Sequence, residues 1–279
     1  MEGLDGVLFS KYETRVKDFR AFVEDKAFNG GYSYRDGNAP FVVVKDGELV
    51  SNWDYGWSNP GFEQTGDHPV TCVSWEDAKA FCEWLTRKER QERKIGLEEE
   101  YRLPTDWEWS MAVGLREGRE GSPESKDEKI KDVYPWDGGR GKLPPPRGAG
   151  NYAGEEVRDK DWPSGLMIIE DYNDGYPRTS PVGSFAANAN GIYDLGGNVW
   201  EWCWDWYSYG SYGRVLRGGS WNGIDPGALL SSRPATPVPT TATVTAVSEW
   251  CWAVPPNRLG YWSQEPETLC PVVAVGGEY

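Results

Sequence analysis

The chain has 279 residues, enough for one large domain or two small ones with a sizeable core. A formal net charge of −15 excludes the basic footprint that a nucleic-acid binder needs. No stretch approaches the ~20 apolar residues of a membrane-spanning helix, and 14% aromatic residues with 34 Gly and 20 Pro point to a loop-rich fold pinned by buried rings.

The start, Met1 to Phe9, lacks a basic region followed by an apolar run. That reads as cytoplasmic, or as secreted or periplasmic if a leader is missing. Tyr12 to Asp25 is expected to form an amphipathic helix, with Val16, Phe19 and Val23 at helical spacing. A Gly/Asn/Asp-rich stretch follows from Asn29 to Asn38. Phe41 to Val44 reads as a short strand, closed by a turn over Lys45-Asp46-Gly47-Glu48. Asn52 to Pro60 is aromatic and rich in turns.

Pro69 to Val73 is extended and leads into a second helix. Ser74 caps it, with Asp77 three residues later, and Ala78, Phe81, Cys82 and Leu85 make one apolar face. This helix becomes charged from Arg87 to Lys94 and is expected to end near Gly96. Tyr101 to Pro104 is extended, and Thr105 with Glu108 forms another capping box, so a third helix runs through Trp109 and Val113. Gly114 to Lys131 and Gly138 to Gly150 read as loops. No internal repeat and no clear linker divides the chain.

The most specific segment is Gly191-Ile192-Tyr193-Asp194-Leu195-Gly196-Gly197-Asn198-Val199-Trp200-Glu201-Trp202. It resembles the G-L-Y-D-M-x-G-N-V-W-E-W signature of the formylglycine-generating enzyme (sulfatase-modifying factor) family. Other blocks agree in order: Tyr12-Glu13-Thr14, Val73-Ser74-Trp75-Glu76-Asp77-Ala78, Tyr101-Arg102-Leu103-Pro104-Thr105, Tyr134-Pro135-Trp136, Asn151, Asp174-Gly175-Tyr176, Pro181-Val182-Gly183 and Arg217-Gly218-Gly219-Ser220-Trp221. The match runs from about Tyr12 to Ser232. It implies an α+β fold, a loop-rich variant of the C-type-lectin-like fold with two main helices and small twisted antiparallel sheets.

The family's oxidases convert a substrate cysteine to formylglycine with two cysteines and copper, placed just after the G-G-S motif. Thiolates suit a soft ion such as Cu(I). By spacing, Gly223 and Ala228 fall on those two positions, and neither side chain can bind a metal. Copper is therefore disfavoured. The family's iron branch uses several histidines; this chain has only His68, read as a loop residue, so iron is disfavoured too. The five cysteines, Cys72, Cys82, Cys203, Cys251 and Cys270, form no C-x-x-C pair and read as buried or idle thiols.

Calcium, which takes carboxylate, amide and backbone oxygens, is the metal the resemblance implies. One site would use Asn151, the carbonyl of Tyr152, Asp174 and the carbonyl of Tyr176. A second would use the turn of Gly197, Asn198, Val199 and Glu201. The competing reading is that Asn198 and Glu201 only tie turns through hydrogen bonds. Trp200, Trp202, Trp204 and Trp206 alternate at strand period. Such a stripe could stack on sugars or nucleobases, while the resemblance favours a place in the core. Ser220 and Ser232 have no histidine base nearby, so a serine hydrolase is disfavoured.

Family members close with an R-x-x-x-x-G-F-R strand that is absent here. The domain is read as residues 1–233, its N-terminal strand mostly missing, with 234–279 an atypical tail. For one choice of codons, a shifted frame through Ala246 to Val254 encodes Gly-Phe-Arg-Val-Val-Leu-Gly-Gly. The single codons of Trp250 and Trp252 fix part of that result. A frameshift near Ser232 to Pro234 is the expectation, to be checked against the gene's nucleotides.

The favoured reading is a pseudoenzyme: a binding or scaffold module that keeps the fold without the oxidase cysteines. Its ligand is left open between a protein and a small molecule. Related bacterial domains sit beside kinases, in lipoproteins or in variable binding proteins. The rivals are an oxidoreductase of the same family and a ligand-binding protein diversified at its C-terminus.

Overall fold

The structure, a computed structural model, describes residues 7–33, 41–45, 48–52, 55–127, 129–130, 134, 136, 144–158, 162, 167–210 and 213–223. The proposed tail, Ala228, Ser232, Cys251, Cys270 and the 46–47 turn lie outside the described residues. In chain order come helix α1 (Val16–Glu24), strands β1 (Phe41–Lys45) and β2 (Glu48–Asn52), helices α2 (Trp75–Gln91), α3 (Asp106–Val113) and α4 (Pro123–Lys126), and strands β3 (Glu201–Trp206) and β4 (Arg214–Arg217). The strands form two antiparallel pairs, β1 with β2 and β3 with β4. The molecule is thus a mixed, loop-rich α+β structure. No described helix is long and apolar enough to cross a membrane.

Both predicted capping boxes are present. The Ser74 hydroxyl accepts the Asp77 N–H at 3.1 Å while the Asp77 carboxylate accepts the Ser74 N–H at 2.8 Å. Thr105 and Glu108 repeat the exchange at the start of α3. These side chains satisfy amide donors that helix geometry leaves unpaired.

Several boundaries differ from the sequence reading. Helix α1 begins at Val16 rather than Tyr12, because Arg15 is drawn into an extended bridge with Pro69, and the Val70 N–H binds the Thr14 carbonyl at 2.8 Å. Helix α2 stops at Gln91, before Gly96, and the chain turns through Arg93 in the left-handed region. The charged 114–131 loop contains the short α4, seated by the Glu124 N–H on the Tyr207 carbonyl. β2 arises where the sequence showed only the end of a turn.

Phe19, Phe22 and Trp84 form the core between α1 and α2, with Phe22 packing edge-on to Phe81 at 5.8 Å. A second core gathers Trp109 and Ala112 of α3, Ile192, Leu195, Cys203 of β3 and Val215 of β4. Arg217 is fully enclosed beside it. Its Nη1 donates to Asp106 Oδ1 at 2.5 Å and to Ser110 Oγ at 3.0 Å, and its guanidinium lies 4.3 Å from the Trp109 ring centre. The carboxylate, hydroxyl and ring together replace the hydration that this charge lost.

Phe22 is 0% exposed, so its removal leaves a cavity that the aromatic neighbours cannot fill. Phe22→Ala is expected to lower unfolding free energy by about 3–5 kcal/mol, measured by urea denaturation.

Candidate functional site

The signature segment is a compact turn in which Asp194, Gly197 and Asn198 have φ of 59°, 89° and 58°. Gly197 has no alternative: a Cβ there would stand 2.3 Å from the Asn151 carbonyl oxygen. Three backbone bonds join the turn to its neighbours: Gly197 N–H to the Gly218 carbonyl (2.8 Å), Asn198 N–H to the Asn151 carbonyl (2.9 Å), and Trp221 N–H to the Asn198 carbonyl (2.9 Å).

The Asn198 amide completes the junction. Its Oδ1 accepts the Ser180 N–H at 3.0 Å and Asn151 Nδ2 at 3.2 Å. Its Nδ2 donates to Glu13 Oε2 at 2.7 Å and the Ser180 carbonyl at 3.4 Å. An asparagine tolerates the left-handed backbone better than most residues, and its amide carries both donors and acceptors. One residue therefore serves both the turn and the junction.

Of the residues expected at the first metal site, Asp174 is hydrogen-bonded to the backbone of Tyr152 and Tyr176, Asn151 directly precedes Tyr152, and the Tyr152 carbonyl accepts the Gly154 N–H at 2.8 Å. Asn151 is 1% exposed; its Nδ2 also donates to the Arg178 carbonyl at 2.8 Å, whereas its Oδ1 has no partner. Asp174 accepts the Tyr152 N–H on Oδ2 at 2.9 Å and the Tyr176 N–H on Oδ1 at 2.8 Å. Burial pushes the Asp174 carboxyl up to about 7 against these two bonds, and neighbouring Glu156 pushes the same way.

At the second predicted set, Gly197, Asn198, Val199 and Glu201, the Glu201 carboxylate accepts the Trp109 indole N–H. Burial raises Glu201 to about 7, with a further push from Asp194. The Asn198 side chain is occupied by the hydrogen bonds above. Asp194 and Glu13, which the sequence reading used only as family markers, complete this buried acidic region. Asp194 Oδ2 accepts the Gly183 N–H at 2.6 Å, its Oδ1 has no partner, and burial raises its carboxyl to about 6. Burial also raises Glu13 well above the usual carboxylate range, with Asp194 and Glu201 adding repulsion, and its Oε1 is likewise unpartnered. The signal was present in the blocks Tyr12-Glu13-Thr14 and Tyr193-Asp194, but only the fold places the two acids side by side. Among the described residues, no group of three His, Cys, Asp or Glu side chains is placed to hold a metal ion. A cation here would depend on amide and backbone oxygens as well as carboxylates.

Around Ser220, the hydroxyl donates to Asn222 Oδ1 at 2.6 Å. The Gly223 N–H binds the Ser220 carbonyl at 2.8 Å, and the Gly223 carbonyl accepts the Ala153 N–H at 3.1 Å. His68 lies in a loop, half-buried, with Nδ1 3.0 Å from Thr179 Oγ1. None of the described cysteines is in a disulfide: Cys72 and Cys203 are buried and Cys82 partly so. Burial pushes the Cys72 and Cys82 thiols up to about 12 and Cys203 well above the ordinary thiol range. The tryptophan stripe divides. Trp202 is 7% exposed and belongs to the core, but Trp204 and Trp206 are 40% and 43% exposed, which corrects the expectation of a wholly buried stripe.

The fold and this turn define a loop-rich α+β domain whose segments meet at a single buried amide. Residues 3–246 match the sulfatase-modifying factor enzyme 1-like domain, further along the chain than the sequence blocks reached, and the chain belongs to that family. It is 35% identical over 144 residues to the formylglycine-generating enzyme of Thermomonospora curvata, covering 51% of this chain and 35% of that protein. It is 32% identical to the inactive C-alpha-formylglycine-generating enzyme 2 of Mus musculus, covering 74% and 60%. It thus spans less than two thirds of either relative's length. Similarity to the chaperone protein LppX of Paenibacillus barcinonensis is 28%, over 75% of this chain and 80% of that one. The solved structure of PvdO from Pseudomonas aeruginosa aligns at a TM-score of 0.48 and 22% identity, over 82% and 74%.

The junction gives a direct test. Asn198→Gly keeps the left-handed backbone accessible but deletes the amide, leaving buried polar groups of Ser180, Glu13 and Asn151 with fewer partners. Thermal or urea unfolding is expected to register a loss of about 2–4 kcal/mol.

Proposed function

We propose that this domain is a non-oxidase binding or scaffold module of the sulfatase-modifying factor family, a variant of the C-type-lectin-like fold with its loops tied by structural calcium. The observation that carries the reading is the state of the sulfur. The family's oxidases need two thiolates after the G-G-S motif, where spacing assigns Gly223 and Ala228. Cys72, Cys82 and Cys203, the cysteines among the described residues, are held as protonated thiols by burial. Copper binding at any of them would have to drive the proton off a buried thiol. The similarity to the inactive mouse protein is in keeping with this.

The test is Cu(I) titration of the purified chain against a competing chelator, combined with mass spectrometry of a cysteine-bearing peptide incubated with protein and oxygen. The expected outcome is no stoichiometric high-affinity copper and no conversion of cysteine to formylglycine. Tight copper binding with peptide oxidation would overturn the reading in favour of the oxidoreductase.

Calcium is proposed at two places. At the first, Asn151 and Asp174 would supply side-chain oxygens, with Tyr152 and Tyr176 supplying carbonyls. Support comes from the unpartnered buried Asn151 Oδ1. At the second, Glu201 and the carbonyls of Gly197 and Val199 would be joined by Asp194, whose Oδ1 also lacks a partner. The ion would neutralise carboxylates that burial otherwise keeps protonated, and so fix loops that no sheet holds.

The pH dependence follows with a definite sign. Asp174, Asp194 and Glu201 are raised to about 7, 6 and 7, above their unfolded values near 4. Without metal, the folded state holds more protons between roughly pH 4 and 7, so these groups make stability fall as pH rises through that window. Calcium needs the ionised forms. Millimolar calcium is therefore expected to raise Tm by about 5–10 °C at pH 7.5 and by almost nothing at pH 5, read by differential scanning calorimetry with a chelated control.

A further inference from the structure

Strand β3 places Trp202, Trp204 and Trp206 on one face, and the two outer rings are partly exposed, at 40% and 43%. Arg214, the register partner of Trp206 on β4, is layered between rings: its guanidinium carbon lies 3.7 Å from the centre of Trp206 and 3.8 Å from that of Trp75. Trp75 is itself 3% exposed and packs against Trp204 at 5.2 Å, so the layer rests on the core. The guanidinium is held in place before any ligand arrives.

This cation is poorly compensated. Nη1 donates to the Trp204 carbonyl at 2.5 Å, Nε is buried without a partner, and no carboxylate among the described residues forms an ion pair with it. Glu76 and Asp205 act on it only at longer range, and burial lowers its pKa to about 10, so it remains cationic at neutral pH. Two indole faces recover part of the lost hydration. A planar guanidinium is the cation best shaped to take a carboxylate. The exposed rings beside it offer flat apolar surface suited to the C–H face of a pyranose. The formal net charge of −15 repels long polyanions at a distance, which favours a short ligand with few charges.

We propose that Trp204, Trp206 and Arg214 form a binding site for a short acidic glycan, with a uronate ring stacked on the indoles and its carboxylate paired with the guanidinium. The site shares no residue with the signature junction or the Ser220–Gly223 segment. The inference holds whether or not the domain also acts as an oxidase.

The test is isothermal titration of the whole chain with trigalacturonate and with its fully methyl-esterified form, which keeps the rings and removes the charge. Trigalacturonate should bind, and the ester should bind about tenfold more weakly. Arg214→Gln and Trp206→Ala should each weaken the acid trimer about tenfold, while Met167→Ala, exposed elsewhere, should leave it unchanged. Melting curves check that each variant folds. If Arg214→Gln does not fold, Trp204→Ala and Trp206→Ala at exposed positions carry the test. Absence of binding by the acid trimer at millimolar concentration overturns the proposal, as does equal binding of the ester or full binding by the tryptophan variants.

Discussion

The domain depends on a buried side-chain amide at Asn198. With two two-stranded sheets and few long helices among the described residues, much of the chain runs as loop, and buried loop backbone must find its hydrogen bonds outside regular ladders. Asn198 joins the segments around Glu13, Asn151, Ser180 and Trp221 through backbone and side chain together. The same economy appears at Arg217, whose buried head group joins α3 to β4 through Asp106 and Ser110. Single polar residues here serve the role that extended sheets serve in more regular folds.

That construction explains what could be read from the sequence. Capping boxes are local, and Ser74 with Asp77 and Thr105 with Glu108 announced two helix starts correctly. The helix starts later than Tyr12 because Thr14 and Arg15 pair with Val70 and Pro69, which lie far off in sequence and carry no local signal. Strand period in the tryptophan stripe was plain. Which rings would be covered was not, because burial of Trp202 depends on Trp75 and Leu216 packing over it. The pairing of Glu13 with the signature turn was hidden for the same reason: nothing within a short window says that two acids and an amide will meet.

The enclosed acids and thiols share one cause. Each sits in low-dielectric surroundings that favour its neutral form, yet the consequences differ. A buried thiol must lose its proton to take a metal, whereas a carboxyl near neutrality ionises at little cost beside a hard cation with carbonyl oxygens around it. The family includes a protein named for formylglycine generation and one named as inactive, so one fold can carry different chemistry.

The bond between Glu13 and Asn198 spans 185 positions. During synthesis Glu13 and the helix that follows it from Val16 emerge early, but the amide that binds Glu13 appears only after most of the domain has been made. At about 5–20 residues per second, the N-terminal segment waits on the order of ten seconds or more without its anchor. Closure is therefore a late, non-local event. The apolar face of Phe19 and Phe22 depends in the meantime on local pairing with α2, which makes that helix pair the natural first foothold on the ribosome.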